Sequence, residues 1–343
     1  MEVVSGRQNG EPFEFMALDS HSVLRLSVFA AILWAIILPH PANATAGGLE
    51  RRPVYNIAHM TNTIAQVDEA MELGANSIES DVAFTFNGTA AWFYHGVPCD
   101  CFRRCRRHQD VPALLDYIRK TTSTNGGIYS QRLVLLFLDL KVKKVHPMYM
   151  HNAGADIAEK LVKHLWSGVD PWRAMKVLLS SSDGEVVWGA VLTIYRLMPI
   201  MLRNVGVDIS NKSERLHAIR NVYLSLGMLG HRWQGDGTTN CISFMRSASK
   251  LQKIINNREL NHHVEKVYQW TIDIPTKLRR SLRKGVDAII TNRPDRLATI
   301  LKEDEFRGMV RPATIYDDPW TRFGDKSPVA GTPFVDVDVE GHS

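Results

Sequence analysis

The 343-residue sequence predicts a (β/α)8 TIM barrel, an α/β fold, and three observations lead to it. Short β-like runs alternate with helical runs from residue 53 onward, which indicates parallel strands joined by right-handed crossovers. Roughly eight such units fill about 250 residues, the count and length of one closed barrel domain. No glycine-rich dinucleotide or phosphate-loop motif follows an early strand, which disfavours an open nucleotide-binding sheet. The barrel is assigned to residues 47–305, after a leader (1–46) and before a C-terminal tail (306–343).

The predicted strands are short runs rich in apolar and β-branched residues. In order they are VYNIAH (54–59), SIESDVAF (77–84), AAWFYH (90–95), LVLLFLDL (133–140), KVLLSS (176–181), NVGVDIS (204–210), HRWQGD (231–236), KVYQWTID (266–273) and DAIITN (287–292). The run at 133–140 is almost continuously apolar, as expected for a strand that is buried on both faces.

Helical patterns follow most of these strands. The first helix is predicted from Thr61, carries Ile64, Val67 and Ala70 on one face, and stops at Gly74. The others are predicted at 111–120, around 153–166, at 214–226, at 244–257, in a run that ends near Lys284, and at 294–301. One apolar segment (187–202) is interpreted as a buried barrel helix, with a membrane-facing helix as the alternative.

The N-terminus predicts a targeting segment. Leu26–Leu38 is an almost unbroken apolar run, short for a membrane span and typical of a signal-peptide core. Arg25 precedes the run, and small residues that suit a cleavage site follow at 42–46. We therefore expect a secreted protein with a cleaved signal peptide, a retained signal anchor being the alternative. Because an acidic stretch precedes the apolar run, the initiator is either Met1 or Met16.

Composition and charge set broad limits on the partner. The chain is 45% hydrophobic and 22% charged, which is ordinary for a globular protein, and its net charge is +5. A mild basic excess suits a phosphate head group, a membrane surface or nucleic acid, and does not choose among them.

Four cysteines bear on the same question. They are Cys99, Cys101, Cys105 and Cys241. In an exported chain an even count suggests two disulfides. A zinc site is the competing interpretation, although C-x-C-x3-C lacks the paired spacing of a zinc ribbon. Glycosylation sequons at Asn87 and Asn211 are consistent with export.

Polar residues recur at the carboxyl ends of the predicted strands. They are His59, Glu79, Asp81, His95, Asp139, Lys141, Trp270, Asp273 and Asn292. In a barrel these ends converge on one face, where the active site forms. Several strands that each end in a polar residue therefore predict a shared pocket.

Three carboxylates in this set predict a metal site. Glu79 and Asp81 are two residues apart, so on a strand their side chains point to the same face. Asp139 ends another strand and supplies a third oxygen ligand. Hard oxygen ligands completed by water and a substrate phosphate suit Mg²⁺. The alternative is that each carboxylate is a surface residue or a helix cap.

Two histidines are the candidate acid and base. His59 and His95 lie beside the carboxylates in the predicted barrel, whereas most of the other histidines lack that context. Cleavage of a phosphodiester needs one group to activate the attacking oxygen and another to protonate the leaving oxygen, and two imidazoles can do both near neutral pH.

An arginine-rich loop directly follows His95. The run CDCFRRCRR (99–107) would hold a cluster of arginines beside the catalytic mouth, where they could attract a membrane. The alternative is a solvated charge run.

At these residues the sequence resembles the arthropod sphingomyelinase D / dermonecrotic phospholipase D family. The matching motifs are IAHMTNTIAQVDEAMELGANSIESDV (57–82), YHGVPCDC (94–101), LVLLFLDLK (133–141), WQGDGTTNC (233–241), VYQWTID (267–273), AIITNRP (288–294) and ATIYDDPW (313–320). The resemblance implies that the last motif is a tail that plugs the bottom of a TIM barrel. A glycerophosphodiester phosphodiesterase shares the barrel and the His…Glu-x-Asp pattern, but the YHGVPCDC and DGTTNC segments favour the first family.

The resemblance also implies roles for individual residues. His59 and His95 are the catalytic histidines, and Glu79, Asp81 and Asp139 ligate one Mg²⁺. The substrate contacts that it implies are Lys141, Tyr268, Trp270, Asp273 and Asn292. The disulfides that it implies are Cys99–Cys105 and Cys101–Cys241.

The implied reaction releases choline from sphingomyelin or lysophosphatidylcholine at a membrane surface, with a hydrolysed or a cyclic phosphate as the product. We expect a monomer with no nucleic-acid partner and no obligate protein partner. The alternatives are a phosphodiesterase that acts on soluble glycerophosphodiesters and a non-catalytic homologue that binds lipid surfaces. Two departures from the family leave the lipid open: Val207–Ser210 replaces His-Asp-Phe-Ser, and Gly235 replaces a serine.

Overall fold

Parallel strands form the centre of the computed structural model, which describes residues 50–123, 126–209, 216–245, 248–261 and 263–325. The predicted leader, Ser210, the Asn211 sequon and the end of the predicted tail lie outside the described residues. In the described part of the chain the barrel strands are β1 (Arg52–Ala58), β2 (Ser77–Phe84), β5 (Leu135–Lys141), β6 (Lys176–Ser180), β7 (Val205–Asp208), β8 (Arg232–Gly237), β9 (Lys266–Trp270) and β10 (Ala288–Thr291). Each pairs in parallel with the next, and β1 pairs with both β10 and β2, so the sheet closes. The predicted eight-stranded barrel is confirmed.

Helices connect the strands around the outside. They are α1 (Ile64–Glu72), α2 (Val111–Thr122), α3 (Met150–Lys160), α4 (Gly184–Leu197), α5 (Leu216–Ser225), α6 (Ala248–Asn261), α7 (Pro275–Lys284), α8 (Pro294–Ile300) and α9 (Asp304–Arg307). Local chemistry fixes several ends. The Thr63 side chain accepts a hydrogen bond from the Gln66 amide at the start of α1, and Asp183 caps α4 through Glu185. Gly285 ends α7 at a φ of 89°, a conformation that favours glycine.

A β-hairpin corrects the predicted placement of His95. The segment predicted as a strand at 90–95 is β3 (Ala90–Phe93), which runs antiparallel to β2 and then pairs with β4 (Gln109–Asp110). His95 therefore does not end a barrel strand. It reaches the face formed by the carboxyl ends of the barrel strands because β2 extends beyond the barrel and β3 leads the chain back, so that the Tyr94 amide donates to Asp81 O at 2.8 Å.

Two apolar cores hold the barrel together. The larger lies between the strands and the surrounding helices, and the smaller fills the barrel interior. The interior core is rich in aromatic residues, among them Tyr55, Phe137, Trp233 and Tyr268. Burial of apolar surface at roughly 25 cal/mol per Å² makes such cores the main stabilising term.

The apolar segment at 187–202 forms most of α4 and a following 3₁₀ turn, and its residues Val187–Leu192 are all buried. The helix packs closely on α3, since a Cβ at Gly154 would lie 1.8 Å from Val186 O and a Cβ at Gly189 would lie 2.2 Å from His151 O. The prediction of a buried helix is confirmed. Within the residues described, no helix has both the length and the apolar character that a membrane crossing requires.

The amino-terminal end of the barrel is covered by the segment that follows α9. A short strand, β11 (Val310–Pro312), pairs with the start of β1. Further along, the Trp320 indole donates to Arg203 O at 2.9 Å and stacks on His231. A Cβ at Gly206 would lie 2.1 Å from the Trp320 ring, so only glycine at that position admits the indole. The tail therefore packs on the barrel bottom.

Candidate active site

Three carboxylates meet at the carboxyl end of the barrel. Glu79 and Asp81 lie on β2, and Asp81 is level with Asp139 of β5 in the parallel register. One oxygen from each side chain lies within 4.8 Å of the others. Glu79 and Asp81 are 3% and 0% exposed, so two of the three charges are almost completely removed from water. Adjacent parallel strands place the three predicted ligands together because residues in register share one level of the barrel.

The charges in this cluster are unevenly balanced. The Lys141 ammonium contacts both Asp139 and Asp81, lying 2.9 Å from Asp81 Oδ1. Burial and the neighbouring Asp81 charge raise the pKa of Glu79 to about 8. Burial opposes ionisation of Asp81 too, but Lys141 and the two histidines hold the pKa of that carboxyl below its usual value.

The donor set fits a hard divalent cation. Asp81 Oδ1 is buried and, although Lys141 is close, accepts no well-directed hydrogen bond. When all three carboxyl groups are ionised they outnumber the single ammonium, and a cation would neutralise the excess negative charge. Oxygen-only ligands favour Mg²⁺, Ca²⁺ or Mn²⁺ over metals that prefer sulfur or nitrogen. The residues could therefore hold a metal ion.

His59 lies directly beside the carboxylates. Its Nδ1 is 3.0 Å from Asp100 Oδ2 and 3.3 Å from Asn292 Oδ1. Since both neighbours accept hydrogen bonds, Nδ1 carries a proton and Nε2 faces the cluster, 3.9 Å from Glu79 Oε2. Burial alone would lower the pKa of His59, but the hydrogen bond to Asp100 and the charge of Glu79 raise it to about 9.

His95 faces His59 across the site. The two imidazole rings are 6.2 Å apart between centroids and nearly perpendicular. His95 Nδ1 lies 2.9 Å from Gly96 O, a carbonyl acceptor, so Nδ1 carries the proton and Nε2 is left to accept one. The turn depends on Gly96, whose φ of 77° lies in the left-handed region.

Asp100 is a candidate site residue that the sequence patterns did not single out. Besides His59, it accepts hydrogen bonds from Thr239 Oγ1 at 2.6 Å and from Asn292 Nδ2 at 3.0 Å. Burial would raise the pKa of Asp100, but these bonds and the His59 charge lower it well below the usual range. The available signal was its place between two cysteines, since a carboxylate in a cross-linked turn has few orientations.

Asp273 and Asn292 support the site through this network. The Asp273 carboxylate accepts hydrogen bonds from the backbone N–H of Asn292 at 2.8 Å and from its side-chain Nδ2 at 3.0 Å. It also accepts one from Asn240 Nδ2. The Asn292 side chain in turn contacts Asp100 and His59. Both residues lie at the carboxyl ends of the strands, as predicted. The polar groups of both form hydrogen bonds with neighbouring side chains.

Tyr268 and Trp270 lie at different depths of the barrel. Tyr268 is 4% exposed in the barrel interior, and its hydroxyl donates to Asp208 at 2.8 Å. Trp270 is only partly buried. A Cβ at Gly235 would lie 2.3 Å from the Tyr268 ring. The glycine that departs from the family pattern therefore makes room for this tyrosine ring.

Two disulfides hold the loop that follows His95. They are Cys99–Cys105 and Cys101–Cys241, and the described residues contain no free cysteine. The Cys101 amide also donates to Asn240 Oδ1 at 2.8 Å. The loop is thus joined to the segment after β8, and the zinc interpretation of the cysteines is wrong.

Comparison with known proteins places this site in a family. Residues 49–320 match the family model described as Dermonecrotic toxin SPH. The chain belongs to the dermonecrotic toxin SPH family. Dermonecrotic toxin SPH of Ixodes scapularis is 48% identical over 299 residues, which cover 85% of this chain and 82% of that protein. Dermonecrotic toxin StSicTox-betaIB1i of Sicarius terrosus is 40% identical, and the match covers 80% of this chain and 100% of that protein.

Solved structures agree on the fold. A putative glycerophosphoryl diester phosphodiesterase from Silicibacter pomeroyi is 15% identical and superposes with a TM-score of 0.50, covering 82% of this chain and 99% of that one. At this identity the likeness concerns the barrel alone. The family resemblance seen in the sequence and the barrel are both confirmed.

Proposed function

We propose that this member of the dermonecrotic toxin family is a secreted, Mg²⁺-dependent phospholipase D of the sphingomyelinase D type. It would release choline from sphingomyelin, lysophosphatidylcholine or both. The observation that carries the proposal is the pair of facing imidazoles, each anchored through Nδ1, beside three clustered carboxylates. Family membership supports a phosphodiesterase-type enzyme.

The metal site of this proposal consists of Glu79, Asp81 and Asp139, which would hold one Mg²⁺. The bound ion supplies a positive charge that neutralises the substrate phosphate. Lys141 supplies a second positive charge at the same place, because its ammonium already contacts two of these carboxylates.

The histidines handle the protons. One imidazole takes the proton from the attacking hydroxyl as its oxygen bonds to phosphorus, and the other gives a proton to the choline oxygen as the phosphorus–oxygen bond breaks. The Nδ1 anchors hold each ring so that Nε2 points toward the reacting atoms. Asp100 orients His59 and stabilises its protonated form.

The nucleophile decides the product. Attack by a hydroxyl of the substrate gives a cyclic phosphate and choline, whereas attack by water gives a phosphomonoester and choline. Both routes use the same acid and base. Trp270 and Tyr268 would line the head-group pocket, since an aromatic face attracts a quaternary ammonium. Gly235 and Val207 leave the choice between lipids open.

The cellular setting is part of the same proposal. The two disulfides are consistent with an oxidising compartment, which supports secretion. We propose that the enzyme works as a monomer at a membrane surface, without nucleic acid or an obligate protein partner.

Phosphorus NMR tests the activity. The purified protein is incubated with sphingomyelin, lysophosphatidylcholine or glycerophosphocholine, in Mg²⁺ and in EDTA. A cyclic or monoester phosphate that forms from a choline lipid only with Mg²⁺ supports the proposal. Turnover of glycerophosphocholine alone would assign the enzyme to soluble glycerophosphodiesters, and vesicle binding without any turnover would indicate a non-catalytic homologue.

Histidine variants test the mechanism. Replacing His95 by alanine is expected to lower turnover by about 100- to 10,000-fold, the range for loss of a general acid or base. His164→Ala is the matched control, because His164 pairs with Asp116 on the outer helices, away from the site. Normal turnover by the His95→Ala enzyme would exclude this mechanism.

A further inference from the structure

An aromatic side chain stands out from the disulfide-bound loop at the catalytic end. Phe102 is fully exposed, and Val97 in the same loop is 75% exposed. The Phe102 backbone has a φ of 67°, in the left-handed region that bulky residues rarely adopt. A strained backbone and a solvated apolar side chain both cost stability, so their presence at Phe102 indicates a functional role.

The surrounding structure keeps Phe102 in place. Cys101 is joined to Cys241 by a disulfide, and its amide is bonded to Asn240. On the other side, Arg103 Nη2 donates to His59 O at 2.9 Å. The phenyl ring therefore projects into solvent from a tip that is fixed at both flanks, and the next residue, Arg103, contacts the backbone of His59.

Exposed positive charge surrounds the same tip. Arg104, Arg106 and Arg107 are exposed, and within the described chain none of them forms an ion pair with a carboxylate. Together with Val97 they line a surface groove of about 490 Å³. Asp100 does not neutralise them, because its carboxylate is turned inward to His59.

We propose that the loop 97–107 is a docking element for an anionic lipid surface. Phe102 inserts at the level of the head groups, where an aromatic ring can bury its apolar face. Arg104, Arg106 and Arg107 then contact lipid phosphates, which the negative surface potential of such a membrane favours. Docking through this loop rests on the proposed function, because it would hold the same active site at its lipid surface. Vesicle binding itself requires no turnover.

A lipid surface explains more of the loop than a soluble polyanion does. Arginines alone would serve a polyanion, but a fully exposed phenylalanine and a neighbouring valine add nothing to its binding. An apolar tip beside a cluster of exposed arginines matches a membrane interface, where apolar and charged groups lie within a few ångströms of each other.

Vesicle co-sedimentation in EDTA tests the proposal. The protein is mixed with phosphatidylcholine vesicles that either contain or lack phosphatidylglycerol, at low and high salt. Binding is expected to require phosphatidylglycerol and to weaken with salt. The triple variant R104Q/R106Q/R107Q is expected to bind about 5-fold less tightly per arginine, on the order of 100-fold in all. Phe102→Ala is expected to lower binding by about 10-fold, since a buried phenyl ring is lost.

A matched control removes the same charge from the other end of the barrel. Lys120 lies in the last turn of α2, and Lys163 and Lys302 follow α3 and α8. All three are exposed, so K120Q/K163Q/K302Q is expected to bind vesicles as the wild type does. If both triple variants lost vesicle binding equally, net charge alone would explain the effect, and the proposal would be overturned. Equal binding to heparin and vesicles, with no effect of Phe102→Ala, would assign the loop to soluble polyanions instead. Vesicle binding without lipid turnover would leave this inference intact and overturn the proposed function.

Discussion

The two ends of the barrel both bury charge, but they balance it differently. At the amino-terminal end, Arg258 pairs with Asp287, which also accepts a bond from the Val267 amide at 2.8 Å, and Trp320 covers neighbouring residues. At the carboxyl end, three carboxylates face one ammonium. Charges with fixed partners under an aromatic cover stabilise a fold. An excess of one sign in a largely buried cluster favours a ligand of the opposite charge.

Removal of one carboxylate from the catalytic end should have the largest effect. Asp81→Asn is expected to lower Mg²⁺-dependent turnover by at least about 100-fold and to weaken Mg²⁺ binding, because the buried ligand loses its charge. Steady-state kinetics and calorimetric Mg²⁺ titration measure the two effects. Asp116→Asn, a half-exposed carboxylate on the outer helices, is the control. Wild-type Mg²⁺ affinity in the Asp81→Asn protein would remove this residue from the metal site.

Truncation of the aromatic cover should instead affect stability. Trp320→Ala is expected to lower the free energy of unfolding by about 3–5 kcal/mol, since a buried indole is removed and its hydrogen bond to Arg203 is lost. Urea unfolding measures the change. Trp92→Ala is the control. Because Trp92 is 45% exposed, its removal should lower the free energy of unfolding much less. If both variants lost the same stability, the tail would not have the covering role described.

Asp100 should have an intermediate effect through His59. Asp100→Asn is expected to lower turnover by about 10- to 100-fold, as when an orienting partner is lost. Without the anion, the pKa of His59 should fall below its value of about 9. Kinetics and NMR titration of the EDTA-treated protein follow both quantities. An unchanged His59 titration would show that Asp100 acts only on loop structure.

The smallest expected effect is a pH dependence at the covered end. Burial lowers the pKa of His231 below 6.5, so the unfolded chain binds the proton more readily than the folded one. The contribution of His231 to stability is therefore complete above about pH 6.5 and is lost as pH falls. Urea unfolding between about pH 8 and pH 5 measures this loss. The free energy of unfolding should fall less with pH for His231→Asn than for the wild type. Asparagine is suitable because it tolerates the φ of 60° at this position.

Much of this protein could be read from local pattern. Alternating apolar runs and helical faces predict the barrel, because each strand and helix must bury one surface. The spacing of Glu79 and Asp81 on one strand, and the place of Asp139 at the end of another, predict the carboxylate cluster, because strand geometry fixes side-chain direction over two residues. Strand ends in a parallel barrel meet at one face, so the sequence also predicts His59 and Asn292 near this cluster.

Tertiary structure decided what depends on contacts between distant segments. His95 reaches the site through a hairpin that no strand count reveals. The carboxylate that orients His59 comes from a cross-linked loop, and spacing alone left the chemistry of its cysteines open. Gly235 admits the Tyr268 ring because β8 and β9 are neighbours in the closed barrel. A periodic pattern records which face of an element is buried, whereas the partner that each side chain meets is set only when the barrel closes.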